Sequence, residues 1–410
     1  MSDELRKRHV STSSPRSDHA LASVRPNPEL FVRLQPFPCE SSPGLLLEWR
    51  NLEQRSLLRN PFLSSAFLYP QWQFAEGAPK AQLLTVVDRD GHWQFAGLFE
   101  RVRGTRRLPL PHLRAAETNH TFMTGCLIDT ERSEAVIDSL WSYLRQQQLH
   151  GLSFPMFPVD SSLGSLLKRQ CEKSGTITTV DDLCLRATVT PQSGTAMSSK
   201  RAKSLRRGRR ALEKVGQVSL RFDHCPVDDL SSVERFLFLE SLGWKGASQS
   251  AIACRMSEVQ AFKATARVLA EQNRIHFAEL HVDERVIASM CLFRSGSDYY
   301  AFKIGWDPQF ERGCPGFLLA ADLQENMQQL PECQSIDSCA CPGSFLDHIW
   351  PGRMPIGTAL FTTTTWGSLA VRGARLARKI LHRVRGSSST TDETAERNIH
   401  EALEPEEERT

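Results

Sequence analysis

Three short strands in succession, between residues 274 and 306, constrain the fold of this chain more than any other feature. They alternate apolar and polar side chains, and the turn sequences at 283–284 and 295–297 predict an antiparallel meander. A helix opened by Pro315 follows. The other predicted elements are the strands 219–225, 335–340 and 355–365 and the helices 233–243, 258–273 and 345–350. This β-α-α-β-β-β-α-β-α-β order predicts an α/β (α+β) fold with a mixed sheet.

The chain divides into two bodies of similar size. At about 150 residues per domain, its 410 residues allow two or three domains. Pro, Gly, Ser and Thr cluster over 188–199, both ends of the chain lack apolar periodicity, and the C-terminal end is acidic. The predicted parts are a flexible leader 1–28, an N-terminal lobe 29–187, a linker 188–199, a C-terminal lobe 200–366, a basic amphipathic helix 367–385 and a disordered acidic tail 386–410.

Composition predicts a cytoplasmic globular protein. Hydrophobic residues make up 40% and charged residues 24% of the chain, which excludes wholesale disorder. No apolar run reaches the roughly eighteen residues of a membrane span, and the start resembles no secretory signal. Eleven cysteines are expected to be free thiols in a reducing compartment. No paired C-x-x-C motif occurs among the nearby residues Cys333, Cys339, Cys341 and His348, so no metal site is expected.

Short motifs rich in Trp, Gly and Pro mark the second body. They stand at 240–246 (ESLGWKG), 303–308 (KIGWDP), 314–316 (CPG), 336–338 (IDS) and 349–352 (IWPG), with a further motif at 60–63 (NPFL). Together they resemble the GNAT acyltransferase superfamily and, within it, the CelD-like branch named for cellulose biosynthesis. The resemblance extends over residues 45–385 and is strongest over 200–355. It implies two tandem GNAT-like lobes, with more distant similarity to Fem-type aminoacyltransferases.

The resemblance implies that an amine attacks the thioester carbonyl of an acyl-CoA in a gap between strands 298–306 and 335–340. Backbone N–H groups there would polarise the thioester oxygen, and the start of the next helix would take the pyrophosphate. The superfamily marks that loop with Arg or Gln, then Gly-x-Gly or Gly-x-Ala; here Pro315 alters the spacing and removes one amide. Acyl-CoA is expected as a cosubstrate, with no permanently bound cofactor. The residues implied in donor binding are Lys303, Ile304, Gly305, Arg312, Gly313, Gly316 and Phe317.

Amine acylation also needs a base, because an ammonium is not a nucleophile. Glu240 and Asp337 are the candidate catalytic carboxylates. Glu240 is alternatively a solvated helix end, whereas a carboxylate inside a strand, as at Asp337, costs desolvation unless it has a partner. The candidates for contact with the acceptor are Trp244, Lys245, Trp306 and Asp307. The alternatives are that Asp307 is a turn residue, that the lysine stem covers apolar surface while its ammonium reaches water, and that the tryptophans are simply packed.

Two basic segments are candidates for anionic partners. The helix predicted over 200–214 carries cations all round and either contacts a phosphate-rich donor, tRNA or acidic glycan, or is a solvated helix. It has no interleaved aromatic residues, so sequence-specific nucleic-acid binding is not expected. Residues 369–385 combine apolar side chains with five arginines. This pattern is typical of a helix that lies on anionic lipid at the inner face of a membrane, or of a closing helix packed on the protein.

These observations predict an N-acyltransferase that moves an acyl group, expected to be acetyl, from acyl-CoA to an amine acceptor. By resemblance, the acceptor is a sugar or an exopolysaccharide precursor. Two alternatives stay open: a Fem-like transferase that uses aminoacyl-tRNA, and a catalytically silent, membrane-peripheral adaptor in polysaccharide synthesis.

Overall fold

The computed structural model describes residues 29–39, 41–74 and 79–386 of the chain. The leader predicted over 1–28 and the acidic tail from residue 387 onward lie outside the described residues, as do the side chains of Trp244 and of 381–386.

Strands and helices alternate along both halves of the chain. The N-terminal half contains β1 (Phe31–Phe37), α1 (Pro43–Arg55), α2 (Ser65–Phe74), β2 (Ala81–Val87), β3 (Trp93–Val102), β4 (His112–Ala115), β5 (Leu127–Ile128), α3 (Ser133–Gln146), β6 (Gly151–Pro158), α4 (Ser162–Lys173) and β7 (Thr178–Val189). The C-terminal half contains α5 (Ser199–Glu213), β8 (Val218–Asp223), α6 (Ser231–Ser241), α7 (Trp244–Ala247), α8 (Met256–Glu271), β9 (Ile275–Val282), β10 (Arg285–Ser295), β11 (Asp298–Trp306), α9 (Pro315–Asn326), β12 (Ser335–Asp337), β13 (Gly352–Thr362) and α10 (Thr365–Gly386). Among the described residues, none of these helices is both long and apolar enough to cross a bilayer.

The described strands form one mixed sheet, in which the two halves repeat the same topology. The order is β1-β2-β3-β4-β6-β13-β7-β12-β11-β10-β9-β8, with β5 paired to β3. Strands β1 to β4 are antiparallel and β4 is parallel to β6; strands β8 to β11 are antiparallel and β11 is parallel to β12. The α/β fold with a mixed sheet, predicted from the sequence, is confirmed, and the two lobes share one topology.

The final strands of the two lobes are exchanged. Strand β13 lies between β6 and β7 and is antiparallel to both, while β7 pairs with β12. Within the predicted linker 188–199, Thr188 and Val189 still belong to β7 and pair with Asp337 and Ile336. Because each lobe receives the last strand of the other, one continuous sheet joins the two lobes.

The element order predicted for the C-terminal body is confirmed, except for the added short helix α7 and two further local differences. Residues Phe345–His348 form a 3-10 turn instead of an α-helix. The strand predicted over 335–340 ends at Asp337. The Asp337 carboxylate accepts a hydrogen bond from the Cys339 amide at 2.9 Å, and Cys339 has a φ of 52°, so the chain turns there. Asp337 therefore stands at the end of its strand and not inside it.

Separate cores cover the two faces of the sheet. In β11 the successive residues Tyr299 and Tyr300 belong to different hydrophobic clusters, because alternate side chains of a strand point to opposite faces. At the lobe junction, the ring of Phe62 lies 6.0 Å from that of Tyr300 and 6.5 Å from that of Phe302. This aromatic contact packs β11 against the first lobe.

Candidate active site

A β-bulge interrupts β11 where the candidate site begins. Cys291 of β10 lies opposite Lys303, and Leu292 lies opposite Ala301, so Phe302 has no partner in this ladder. A bulge breaks the alternation of side chains along a strand. The consecutive residues Phe302 and Lys303 therefore face the same side of the sheet.

Contacts on that face agree with this geometry. The ring of Phe302 stacks on Phe262 of α8 with centroids 5.6 Å apart. The ammonium of Lys303 lies 3.2 Å from Oε1 of Glu240 in α6. The bulge thus places the Phe302 ring and the Lys303 ammonium side by side in the space under α6 and α8.

The second half of β11 has an open edge. Strand β12 pairs with residues 298–300 of β11, and no other described strand lies beside residues 301–306 on that edge. Backbone groups on such an edge that have no partner can bond a ligand. The edge lies at the gap that the sequence predicts between these two strands.

Glu240 is completely buried at the end of α6. Its Oε2 accepts a hydrogen bond from the Ile252 amide at 2.7 Å, and its Oε1 accepts one from the Lys303 ammonium. Its backbone packs on Gly305: a Cβ at position 305 would lie 2.6 Å from Cα of Glu240. The alternative of a solvated helix end is wrong, and Glu240, Lys303 and Gly305 form one cluster.

Lys245 joins this cluster from α7. Its ammonium donates a hydrogen bond to the Ile304 carbonyl at 2.7 Å. Burial lowers the pKa of Lys245 from 10.5 to about 8, while Glu240 opposes and Lys303 reinforces that shift. The ammonium is held on the backbone of β11, and the side chain is half-buried. Trp244, predicted beside it, has a side chain outside the described residues.

Asp337 belongs to a different ion pair. It is buried, and its carboxylate lies 3.4 Å from Nη1 of Arg186. Burial raises the pKa of Asp337, and the Arg186 charge counteracts this. Asp337 lines a cavity of about 680 Å³ between the lobes, together with Arg59 and Asp298. In the described part of the chain, no hydrogen bond or ion pair joins Asp337 to Glu240.

The two remaining acceptor candidates lie at the end of β11. Asp307 caps the 3-10 turn Pro308–Gly313 with its side chain and forms an ion pair with Arg285 at 2.6 Å. This is the turn role that the sequence left as an alternative. Trp306 is half-buried and packs on α9, where a Cβ at Gly316 would lie 3.4 Å from its Cδ1 atom.

The loop predicted to take the pyrophosphate lies between α5 and α9. Arg312 is exposed, whereas Gly313 is buried against α5, where a Cβ on Gly208 would lie 2.7 Å from the Gly313 carbonyl oxygen. The guanidinium of Arg201 lies 5.9 Å from the ring centre of Phe317. The first amides of α9 have no carbonyl within the helix to bond. The start of α9 and two arginines therefore occur together here.

Sequence reasoning missed a pair of residues from different lobes. His120, between β4 and β5, is buried, and its Nε2 lies 3.1 Å from the carboxylate of Glu258 in α8. Hydrogen bonds from His120 and Arg255 lower the pKa of Glu258 to about 2, against the effect of burial. Nδ1 of His120 has no hydrogen-bond partner among the described residues, and its ring lies 5.9 Å from that of Phe302. No local pattern signals this contact, since the two residues are 138 positions apart.

Helix α5 is not cationic on every side. Leu205, Gly208 and Leu212 are buried, and Arg209 forms an ion pair with Asp322 of α9. The cations on its outer surface are Lys200, Lys203, Arg206, Arg207 and Arg210. Within the described ranges, no group of three or more His, Cys, Asp or Glu side chains is arranged to hold a metal ion.

Residues 199–341 match the family model described as an acetyltransferase (GNAT) domain. None of the curated proteins compared with the chain matches it in sequence.

Solved structures share the architecture at low identity. The C-terminal domain of an Agrobacterium fabrum protein named as a lysylphosphatidylglycerol synthetase is 12% identical, with a TM-score of 0.50 over 82% of this chain and 97% of that one. FemX is 10% identical, with a TM-score of 0.49 over 79% and 96% of the two chains. A Bacteroides thetaiotaomicron protein of unknown function is 12% identical, with a TM-score of 0.48 over 77% and 97%. The first of these likenesses shows a shared fold. In sequence, the segment 199–341 is similar to an acetyltransferase (GNAT) domain, and it lies in the second of two lobes that share one topology.

Proposed function

We propose that the protein transfers an acyl group from acyl-CoA to an amine at the open edge of β11. The observation that carries this proposal is the bulge at Phe302, which precedes an unpaired strand edge inside the segment that matches the GNAT domain. The proposal covers three points: that an acyl group is transferred, that acyl-CoA donates it and that an amine accepts it.

The thioester would lie along residues 301–306, where its carbonyl oxygen accepts a backbone N–H bond. Such a donor stabilises the negative charge that develops on this oxygen when the amine attacks. The pyrophosphate would lie at the start of α9, near Arg312 and Arg201, because helix N-termini and arginines both attract phosphate. Gly316 supports this arrangement: it lies against Trp306, so the loop and β11 are contiguous.

The acceptor must reach the thioester as a neutral amine. In the reaction the nitrogen forms a bond to the carbonyl carbon, the carbon–sulfur bond breaks, the nitrogen loses a proton, and CoA leaves as its thiol. Glu240 and Asp337, the predicted bases, each accept a hydrogen bond from a backbone amide and are paired with a cation. Both carboxylates are therefore already engaged by fixed partners in this structure.

His120 suits the role of base better. Nε2 of His120 lies 3.1 Å from the carboxylate of Glu258, and a His120 that donates Nε2–H to this carboxylate would carry its lone pair on Nδ1. That nitrogen has no partner among the described residues and adjoins the bulge through Phe302. We propose that Nδ1 takes the amine proton and that Glu240 positions Lys303 at the donor. By the resemblance, the acceptor amine belongs to a sugar or an exopolysaccharide precursor.

The test is calorimetric titration of the full chain with acetyl-CoA, with desulfo-CoA for comparison. We expect saturable binding that Arg312→Gln weakens by about tenfold, as is usual when a charge-assisted phosphate contact is lost. The control is Arg207→Gln, which removes the same charge from an exposed position on α5. Absence of binding, or equal weakening by both substitutions, would contradict the proposal. Turnover with amine acceptors is best followed by chromatography of CoA, because exposed Cys341 would react with thiol reagents.

A Fem-like transferase is the second candidate, and the exposed cations of α5 favour it. Five lysines and arginines on one outer surface suit the phosphates of a tRNA. Transfer from an aminoacyl-tRNA but not from acetyl-CoA, weakened by salt and by charge reversal at Arg206 and Arg210, would establish this alternative. A chain that accepts neither donor would be the catalytically silent adaptor.

A further inference from the structure

Helix α10 is attached to the body of the protein by its polar side. The Ser368 hydroxyl lies 2.9 Å from the Thr362 hydroxyl of β13, and Val371 packs on Leu360. Arg375 and Arg378 both lie within 4 Å of Asp181 in β7, at 3.5 and 3.9 Å. These contacts define the face of α10 that points toward the sheet.

Large apolar side chains occupy the opposite face. Trp366 is 70% exposed, Leu369 57%, Leu376 61% and Ile380 52%. At about 100° per residue, Leu369 and Leu376 stand roughly 160° and 140° around the helix from buried Val371. A helix of a globular protein normally turns such a stripe toward the core. Here the stripe, defined by these four residues, points away from the described part of the protein.

The surroundings of the stripe are cationic. Arg372 and Lys379 are exposed and border it along one side. A second copy of the chain would bring these cations against their own counterparts, which opposes pairing of two stripes. An anionic lipid surface suits both the apolar stripe and the cations beside it. Its headgroups pair with the cations, and its acyl chains surround the apolar side chains.

We propose that α10 docks the protein on an anionic membrane, with the helix parallel to the surface and the stripe inserted. The chain then lies on the bilayer and does not span it. This inference does not depend on the acyltransferase reaction, since it rests on the exposure and charge of α10 alone.

The test is flotation of the full-length protein with vesicles of phosphatidylcholine alone or mixed with phosphatidylglycerol. We expect the protein to float with the anionic vesicles only, and less so as salt screens the charges. The double variant Leu369→Glu/Leu376→Glu should lower binding at least tenfold with an unchanged melting temperature. Arg372→Glu/Lys379→Glu should act in the same direction. The control is Leu47→Glu on α1, a leucine that is 55% exposed, and it should bind as the native chain does.

Three outcomes would overturn the proposal. The first is failure of the native chain to float, or equal loss in the Leu47→Glu control. The second is concentration-dependent dimerisation that Leu369→Glu abolishes, which would assign the stripe to a second copy. The third is flotation only after Glu406, Glu407 and Glu408 are changed to Gln, which would assign the stripe to the acidic tail of the chain itself.

Discussion

Gly305 and Glu240 touch through their backbones: a Cβ on Gly305 would lie 2.6 Å from Cα of Glu240. Only glycine lets the end of α6 approach β11 this closely, since real Cβ atoms are not found at such distances. The same approach brings the Glu240 carboxylate within 3.2 Å of the Lys303 ammonium. A backbone contact therefore assembles the ion pair beside the open strand edge.

Replacement of Gly305 by alanine should push α6 away from β11. We expect Gly305→Ala to lower the stability by about 1–3 kcal/mol, the usual cost of overpacking, and to weaken acetyl-CoA binding. The control is Gly44→Ala in α1, where nothing lies within 4 Å of the added methyl group. Thermal melting and calorimetric titration of both variants give the comparison. If Gly305→Ala binds acetyl-CoA as tightly as Gly44→Ala, the contact does not shape the donor site.

Removal of Glu240 should leave the Lys303 ammonium buried without a counter-ion. We expect Glu240→Ala to cost about 3–5 kcal/mol in urea unfolding, as is typical for one partner of a buried pair. The double variant Glu240→Leu/Lys303→Met should regain most of this loss, because no charge is left uncompensated. On the same helix, Glu234 pairs with Lys263 at 2.6 Å near the surface, and Glu234→Ala should cost less than about 1 kcal/mol. Similar losses for Glu240→Ala and Glu234→Ala would show that the Glu240 pair is effectively solvated.

Local patterns along the chain predict the meander, the helix from Pro315 and the contact region around residues 240 and 303. They do not predict the exchange of β7 and β13, because that pairing depends on contacts between distant strands. The repeated topology of the two lobes follows from the family resemblance and not from local patterns, because the order of elements persists without a recognisable sequence repeat. Ion pairs across the lobes are hidden in the same way. Asp337 meets Arg186 from 151 positions away, and only the folded sheet brings the two together.

Lys245 should make stability depend on pH in the alkaline range. The ammonium of Lys245 has a pKa of 10.5 in the unfolded chain and a pKa of about 8 in the folded chain. Between these values the unfolded state binds more protons, so this residue makes the free energy of unfolding rise with pH. Below pH 8 the buried charge costs stability, by about 3 kcal/mol from the size of the shift. Relative to Lys245→Met, the native chain should therefore gain stability between pH 8 and pH 10.5 in urea unfolding. A parallel course of the stabilities of the native chain and of Lys245→Met across this pH range would refute the assignment.

His120 offers the most direct test of the chemistry. His120→Gln keeps an N–H donor for Glu258 but removes the basic nitrogen. As the loss of a general base, it should lower kcat by about 10²–10⁴-fold while the affinity for acetyl-CoA stays unchanged. The matched control is His92→Gln, since His92 also lies 3.2 Å from a carboxylate, that of Glu48, but is exposed. If His120→Gln turns over as fast as the native chain, His120 is not the base, even when acetyl-CoA still binds. If the native chain itself does not bind acetyl-CoA, the proposal that acyl-CoA is the donor is wrong.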